Sequence, residues 1–243
     1  MKAVIGIDAG HGGKSFGTYT FNTVNDGLFE KDFALEQALM IEQKLLKNGF
    51  RIIMTRRSDE NPGTVTERAQ KMVRENADFA LSIHFNGFGS KSANGCEVFV
   101  PYAEVHAGIE SGFYTELKKY FSERPPFARS SNFDDRNEIF DKKLNVKTRK
   151  FEALSDKKDY FGFVRACWEK GISADLLEIC FLTNEKDFSE YQKNKTKIAD
   201  GIAKSIVEAF GEEYISTEEG ELSVVPKIKR KVRNSGSKID LPY

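Results

Sequence analysis

Cysteine and histidine are scarce in this chain, with three of each among 243 residues. Cys96, Cys167 and Cys180 form no CxxC pair and are odd in number. That argues against a disulfide framework and leaves reduced, mostly buried thiols as the expectation. Long apolar runs are also missing. No stretch reaches the length of a membrane helix, and the run from Ala3 to Ile7 is too short for the apolar part of a secretory signal. A chain so built is expected to be made and folded in the cytoplasm. Lys plus Arg and Asp plus Glu stand at 37 each. No charge excess therefore points to nucleic acid or a membrane, and neither is expected as a partner. Nothing in the pattern speaks to oligomeric state, and there is no internal repeat or low-complexity run.

What is present suits a folded, well-solvated protein: 40% hydrophobic and 30% charged residues, at a length that allows one large domain or a domain with an appendage. Lys2 to Asp8 is a β-branched run ending in Ala9-Gly10-His11-Gly12-Gly13, which predicts a buried strand handing over to a glycine-rich loop. Glu30 to Asn48 carries apolar residues at helical spacing, closed by Gly49. Phe50 to Thr55 reads as a strand. Thr64-Val65-Thr66-Glu67 is a capping-box pattern opening a helix to about Asn76. Strands are expected at Asp78–His84, Cys96–Pro101 and Ser173–Phe181, and helices at Ile109–Phe121 and Asn194–Phe210. This alternation implies an α/β fold, a mostly parallel twisted sheet with helices on both faces. Arg124 to Tyr160 breaks the rhythm and reads as an insertion, a rim or lid over the site. A single catalytic domain is expected over 1–211, with 212–243 a charged tail or linker: Glu218, Glu219 and Glu221 precede a basic cluster from Lys227 to Arg233.

Two of the three histidines lie at strand ends beside glycine, His11 after the first strand and His84 before Phe85-Asn86-Gly87. Rigid strands aim ligands, and loops leave space for a substrate. A hydrolytic zinc site needs three nitrogen or oxygen ligands and one open position. The spacing is not HExxH, so the local pattern alone leaves structural histidines as an alternative. His106 follows another strand without a glycine shell and reads as a surface or substrate-facing residue. Glu30 by itself is an ordinary first-turn acid favouring the helix dipole, and Glu36 and Glu42 of the same helix read as solvent-facing. Glu178 is a carboxylate among Leu176, Leu177 and Ile179. Such a group is costly unless paired, which fits either a functional acid or a partner for an arginine such as Arg165.

Ile7-Asp8-Ala9-Gly10-His11-Gly12-Gly13 resembles the opening motif of the zinc-dependent N-acetylmuramoyl-L-alanine amidases, the amidase-3 family. Leu28 to Leu35 resembles the second motif, Met54-Thr55-Arg56-Arg57 with Asp59 and Arg68 a third stretch, and Ser82-Ile83-His84-Phe85-Asn86 the next. Gly95-Cys96-Glu97-Val98-Phe99 and Leu177 to Asn184 with Asp187 resemble the last two. The matches run in family order over about residues 3 to 210. Ala9 replaces a common proline, and Arg124 to Tyr160 aligns poorly.

The resemblance implies a Zn²⁺ site of His11, Glu30 and His84, with Glu178 as the catalytic carboxylate and Ser82 and Asn86 as groups that orient ligands. The substrate it implies is peptidoglycan, cut at the amide between N-acetylmuramic acid and L-alanine. With no export signal, a phage-type endolysin released through holin lesions is the expected kind. The alternatives are a non-catalytic wall-binding module, a zinc peptidase of the stem peptide, and a glycosidase using Glu30 and Glu178.

Overall fold

Strands and helices alternate through much of the described chain, so hydrophobic strands can pair side by side while helices cover them. The computed structural model describes residues 2–21, 28–101, 109–122 and 161–216, and the backbone of 138–141 and 146–149. In chain order the elements are β1 (Val4–Ala9), α1 (Glu30–Lys47), β2 (Arg51–Met54), α2 (Val65–Arg74), β3 (Phe79–Asn86), β4 (Glu97–Phe99), α3 (Ile109–Leu117), β5 (Glu138–Asp141), β6 (Val146–Arg149), α4 (Gly162–Trp168), β7 (Ala174–Phe181) and α5 (Glu185–Ala209). Seven strands form one sheet in the order β2-β1-β3-β7-β4-β6-β5. The first four are mutually parallel. Beyond β7 the sheet turns mixed: β4 is antiparallel to β7, β6 parallel to β4, and β5 antiparallel to β6.

The connections explain where a site can form. Chain leaving β1 crosses through α1 to β2 on one side. It then returns through α2 to β3 on the other side of β1. Ile5, Ile7 and Ala9 of β1 share a core with α1, α3 and α5. A second core joins Ala69 and Met72 of α2 to Phe163, Ala166 and Cys167 of α4. The helices therefore lie on opposite faces, and the chain leaves the C-terminal ends of β1 and β3 in opposite directions along the sheet, towards β2 and towards β4. Such a switch point leaves a crevice.

The two cores also hold the elements that carry the candidate residues. Phe33 of α1, Phe85 of β3 and Tyr191 of α5 meet edge to face, with Phe85 and Tyr191 ring centres 4.8 Å apart. All three are essentially buried, and burial of one such ring stabilises by roughly 1.5–3 kcal/mol. Tyr191 completes the contact by donating its hydroxyl to Gln37 Oε1 at 3.2 Å. The cluster fixes the start of α1 against the end of β3.

The predicted capping box at Thr64 is present: Thr64 Oγ1 accepts from Glu67 N, and the Glu67 carboxylate accepts from Thr64 N. Helix α5 starts at Glu185, nine residues before the expected Asn194, with Asn184 as its N-cap. Apart from Phe188 and Tyr191 its first two turns are polar, too few apolar positions to mark a helical period. Helix α4 was not expected at all, because seven residues carry too little periodicity. Glu36 and Glu42 are only 8% and 7% exposed, contrary to their solvent-facing reading. Lys195 of α5 and Arg57 after β2 close over them as ion-pair partners.

Within the charged segment, β5 and β6 extend the sheet edge as a hairpin. The rest of that segment, expected as a rim or lid, lies outside the described residues, as do His106 and residues 217–243. Residues just past Gly211 are tied down: Ile215 N donates to Asn48 Oδ1, and Tyr214 Oη to Asp200. All three cysteines are buried thiols outside any disulfide. Among the described residues, no helix is long and apolar enough to cross a membrane.

Candidate active site

The chain leaving β1 must turn at once, because the crevice opens there. Gly10 makes this possible: a Cβ on it would lie 2.6 Å from the His84 ring and 2.7 Å from the Ile83 carbonyl. His11 follows with φ +59°, a left-handed conformation that a side chain adopts only where surroundings enforce it. The enforcing group is Arg56. Its guanidinium is 2% exposed and donates to the carbonyls of Ala9, Gly10 and Lys31 at 3.0, 2.7 and 2.7 Å. Thr55 Oγ1 accepts from Ala9 N. Asp59 accepts from Gly13 N and from Lys31 Nζ, and Lys31 Nζ also donates to the Gly13 carbonyl. The Thr55–Asp59 stretch is thus a clamp on the histidine loop, and its Thr55 and Arg56 bonds are buried enough to matter.

Glu30 begins α1 and is 4% exposed. Its Oε1 lies 3.1 Å from His11 Nε2 and 2.9 Å from His84 Nδ1, and also accepts from Phe85 N at 3.1 Å. Its Oε2 accepts from Thr18 N. Gly17, at φ +67°, sits against Glu30 and the His11 ring, where any Cβ would collide. The far nitrogen of His11, Nδ1, is engaged by Ser15 Oγ at 3.0 Å, which orients the ring. Burial pushes the Glu30 carboxyl up, but hydrogen bonds from His11 and His84 outweigh it and hold the group well below the usual carboxylate range. For His84, burial works against the charged form, yet the hydrogen bond and charge of Glu30 prevail and raise it to about 9.

One donor atom from each of His11, Glu30 and His84 lies within 4.8 Å of the others. Tetrahedral zinc with ligands at 2.0–2.1 Å sets its donors about 3.3 Å apart. The observed spacings bracket that value, and two imidazoles with one carboxylate are a suitable donor set. The three residues fit a divalent metal.

The triad opens on a cavity of about 530 Å³ that also carries Asp8, Arg68, Asn86, Phe161, Leu176 and Glu178 in its walls. Glu178 on β7 is the register partner of His84 on β3. Ser82 and Asn86 make no hydrogen bond to the triad. Ser82 Oγ donates to buried Asp8 at 2.7 Å, and Asn86 Nδ2 donates to Glu97. Ser15, Thr18, Phe85 N and Arg56 hold the triad instead. Arg56 stood in a motif of the sequence, but its role depends on three carbonyls that only folding brings to it.

A crevice at the strand ends holding two histidines, a buried glutamate and a facing carboxylate defines an α/β protein with a candidate metal site. The chain belongs to the Amidase_3 family, described as N-acetylmuramoyl-L-alanine amidase, whose model matches residues 5–208. It is 28% identical over 198 residues to the N-acetylmuramoyl-L-alanine amidase LytC of Bacillus subtilis, covering 81% of this chain and 33% of LytC. It is 40% identical over 93 residues to the uncharacterized protein YqiI of the same organism, covering 38% of this chain and 42% of YqiI. The chain thus spans less than half the length of these curated relatives. The catalytic domain of CwlV, an amidase from Bacillus (Paenibacillus) polymyxa var. colistinus, superposes with a TM-score of 0.61 at 25% identity, over 87% of this chain and all of that one.

Proposed function

We propose that this protein is a zinc-dependent N-acetylmuramoyl-L-alanine amidase acting on peptidoglycan, with His11, Glu30 and His84 holding the metal and Glu178 as the catalytic carboxylate. The carrying observation is the convergence of those four side chains on one cleft. Held by His11, Glu30 and His84, a zinc ion would supply Lewis acidity, acidifying a water and polarising a carbonyl. The protein's own groups do the rest. Both oxygens of Glu30 accept from backbone N–H groups, Oε1 from Phe85 and Oε2 from Thr18, which holds the carboxylate still beside the two histidines and suits a ligand better than a proton shuttle. Glu178 faces the cleft and takes a proton from the attacking water. It then passes that proton to the amine of the departing L-alanine. The same occupancy of Glu30 speaks against a glycosidase that pairs Glu30 with Glu178.

The test is clearing of purified peptidoglycan by zinc-loaded, chelated and Glu178→Ala protein, with assay of new N-terminal alanine. The expected result is alanine release that needs both metal and Glu178. New reducing sugars would point to glycan cleavage, and mass-shifted stem fragments without alanine amines to a peptidase. Retention on the wall without turnover would leave a binding module.

A further inference from the structure

Beside the triad the cleft continues along the face covered by α2 and α4, where Val65, Phe161, Phe163 and Leu176 form an apolar wall. Arg68, in the second turn of α2, sits among them. Its Nη1 is 3.3 Å from Asp8 Oδ1, and its Nε donates to the Gly63 carbonyl at 3.1 Å. Asp8 is itself fully buried and further held by Ser82 Oγ. The side chain of Arg68 is therefore immobilised from below and 11% exposed. Its Nη2 has no acceptor among the described residues. Among the described residues, Arg68 is also the only lysine or arginine in a cleft whose acidic walls are Asp8, Glu30 and Glu178.

We propose that Arg68 is a specificity-determining residue that binds the free carboxylate of the stem peptide next to the scissile amide. This rests on the amidase reading. In a stem that begins L-Ala-γ-D-Glu, the second residue is joined through its side chain, so its α-carboxylate stays free one residue beyond the bond to be cut. Glu178 repels such a group, and apart from the metal that the triad would hold, Arg68 is the fixed positive charge among the described walls that can meet it. A rigid guanidinium with an unused N–H edge suits a carboxylate, and the apolar wall keeps water from weakening the contact. Amidation of that carboxylate removes the charge and so makes the modified stem a poorer substrate.

The experiment compares two soluble substrates, N-acetylmuramoyl-L-Ala-γ-D-Glu and its α-carboxamide, with the zinc-loaded protein. Charge-assisted contacts of this kind correspond to a preference of about tenfold or more in kcat/KM for the carboxylate form, carried mainly by KM. Arg68→Lys should reduce that ratio towards one. Because Arg68 neutralises buried Asp8, a second variant, Asp8→Asn with Arg68→Gln, removes both charges together and should likewise abolish discrimination. Calorimetric binding of the dipeptide L-Ala-γ-D-Glu and its α-amide gives a readout independent of cleavage. A wild-type ratio near one, or a ratio untouched by both variants, overturns the proposal while leaving the amidase standing. Discrimination in dipeptide binding without release of alanine amines from either substrate would instead overturn the amidase reading and keep Arg68 as a carboxylate site.

Discussion

His84 and Glu178 are register partners on adjacent parallel strands, so both side chains leave the sheet on the same face at the mouth of the cleft. One belongs to the metal-fitting triad and the other does not, which separates ligation from proton transfer. Glu178→Gln should therefore lower alanine release by about 10²–10⁴-fold, the range for loss of a general acid–base. It should bind zinc as the wild type does, as measured by metal content after dialysis. Loss of zinc together with activity would make Glu178 part of the ligand set.

Arg56 joins three backbone carbonyls of two segments that are distant in sequence. Arg56→Ala leaves these buried acceptors without their donor. Urea unfolding should show a loss of about 2–4 kcal/mol. Zinc affinity should fall by about 10–100-fold, the usual effect of removing a group that holds ligands in place. Unchanged zinc affinity in a folded variant would mean that the loop keeps its shape without the clamp.

A methyl group on Gly10 meets both the His84 ring and the Ile83 carbonyl, whereas one on Gly89 meets nothing. Gly10→Ala should displace His84 and weaken zinc binding, and Gly89→Ala should leave it unaltered. Zinc titration against a competing chelator reads the difference. Equal affinities in the two variants would show that the loop has room to spare.

Asp175 of β7 is fully buried, and neither carboxylate oxygen has a hydrogen-bond partner among the described residues. Burial, with the like charge of Glu110 added, raises its pKa well above the ordinary value. A carboxyl raised by folding resists ionisation only in the folded state. Its contribution is thus most favourable below about pH 4 and is lost as pH rises towards the folded pKa. Asp175→Asn removes that dependence. Its stability relative to wild type should grow with pH between about 4 and neutrality, by up to about 1.4 kcal/mol per pH unit. Urea melts across that range check it, and a difference flat in pH would show that folding leaves the ionisation of Asp175 unchanged.

Much of this architecture was legible in local pattern. The β-branched run before Gly10, the capping box at Thr64 and the apolar periodicity after Glu30 each act over a few residues, and each appears where expected to within a few positions. The polar front of α5 and the short α4 were not legible. Their stability comes from packing on α1 and α2, and not from their own periodicity. Glu36 and Glu42 failed for the same reason: a residue's exposure depends on what folds over it, here Lys195 and Arg57.

The sequence by itself determined the alternation of strand and helix, the glycine-flanked turns after two strands, and the order of the motifs. These depend on backbone conformation and hydrophobic spacing, which neighbouring residues dictate. Only the tertiary structure decided that α1 and α2 lie on opposite faces and open the crevice between β1 and β3. It also decided that Glu30 meets two histidines from different strands, that Arg56 clamps the loop, and that Arg68 stands on Asp8 beside the cleft. These contacts join residues 19 to 73 positions apart, as from His11 to Glu30 and from His11 to His84. Long-range hydrogen bonds and ion pairs leave no periodic trace in the chain, and they exist only once the sheet has brought the strand ends together.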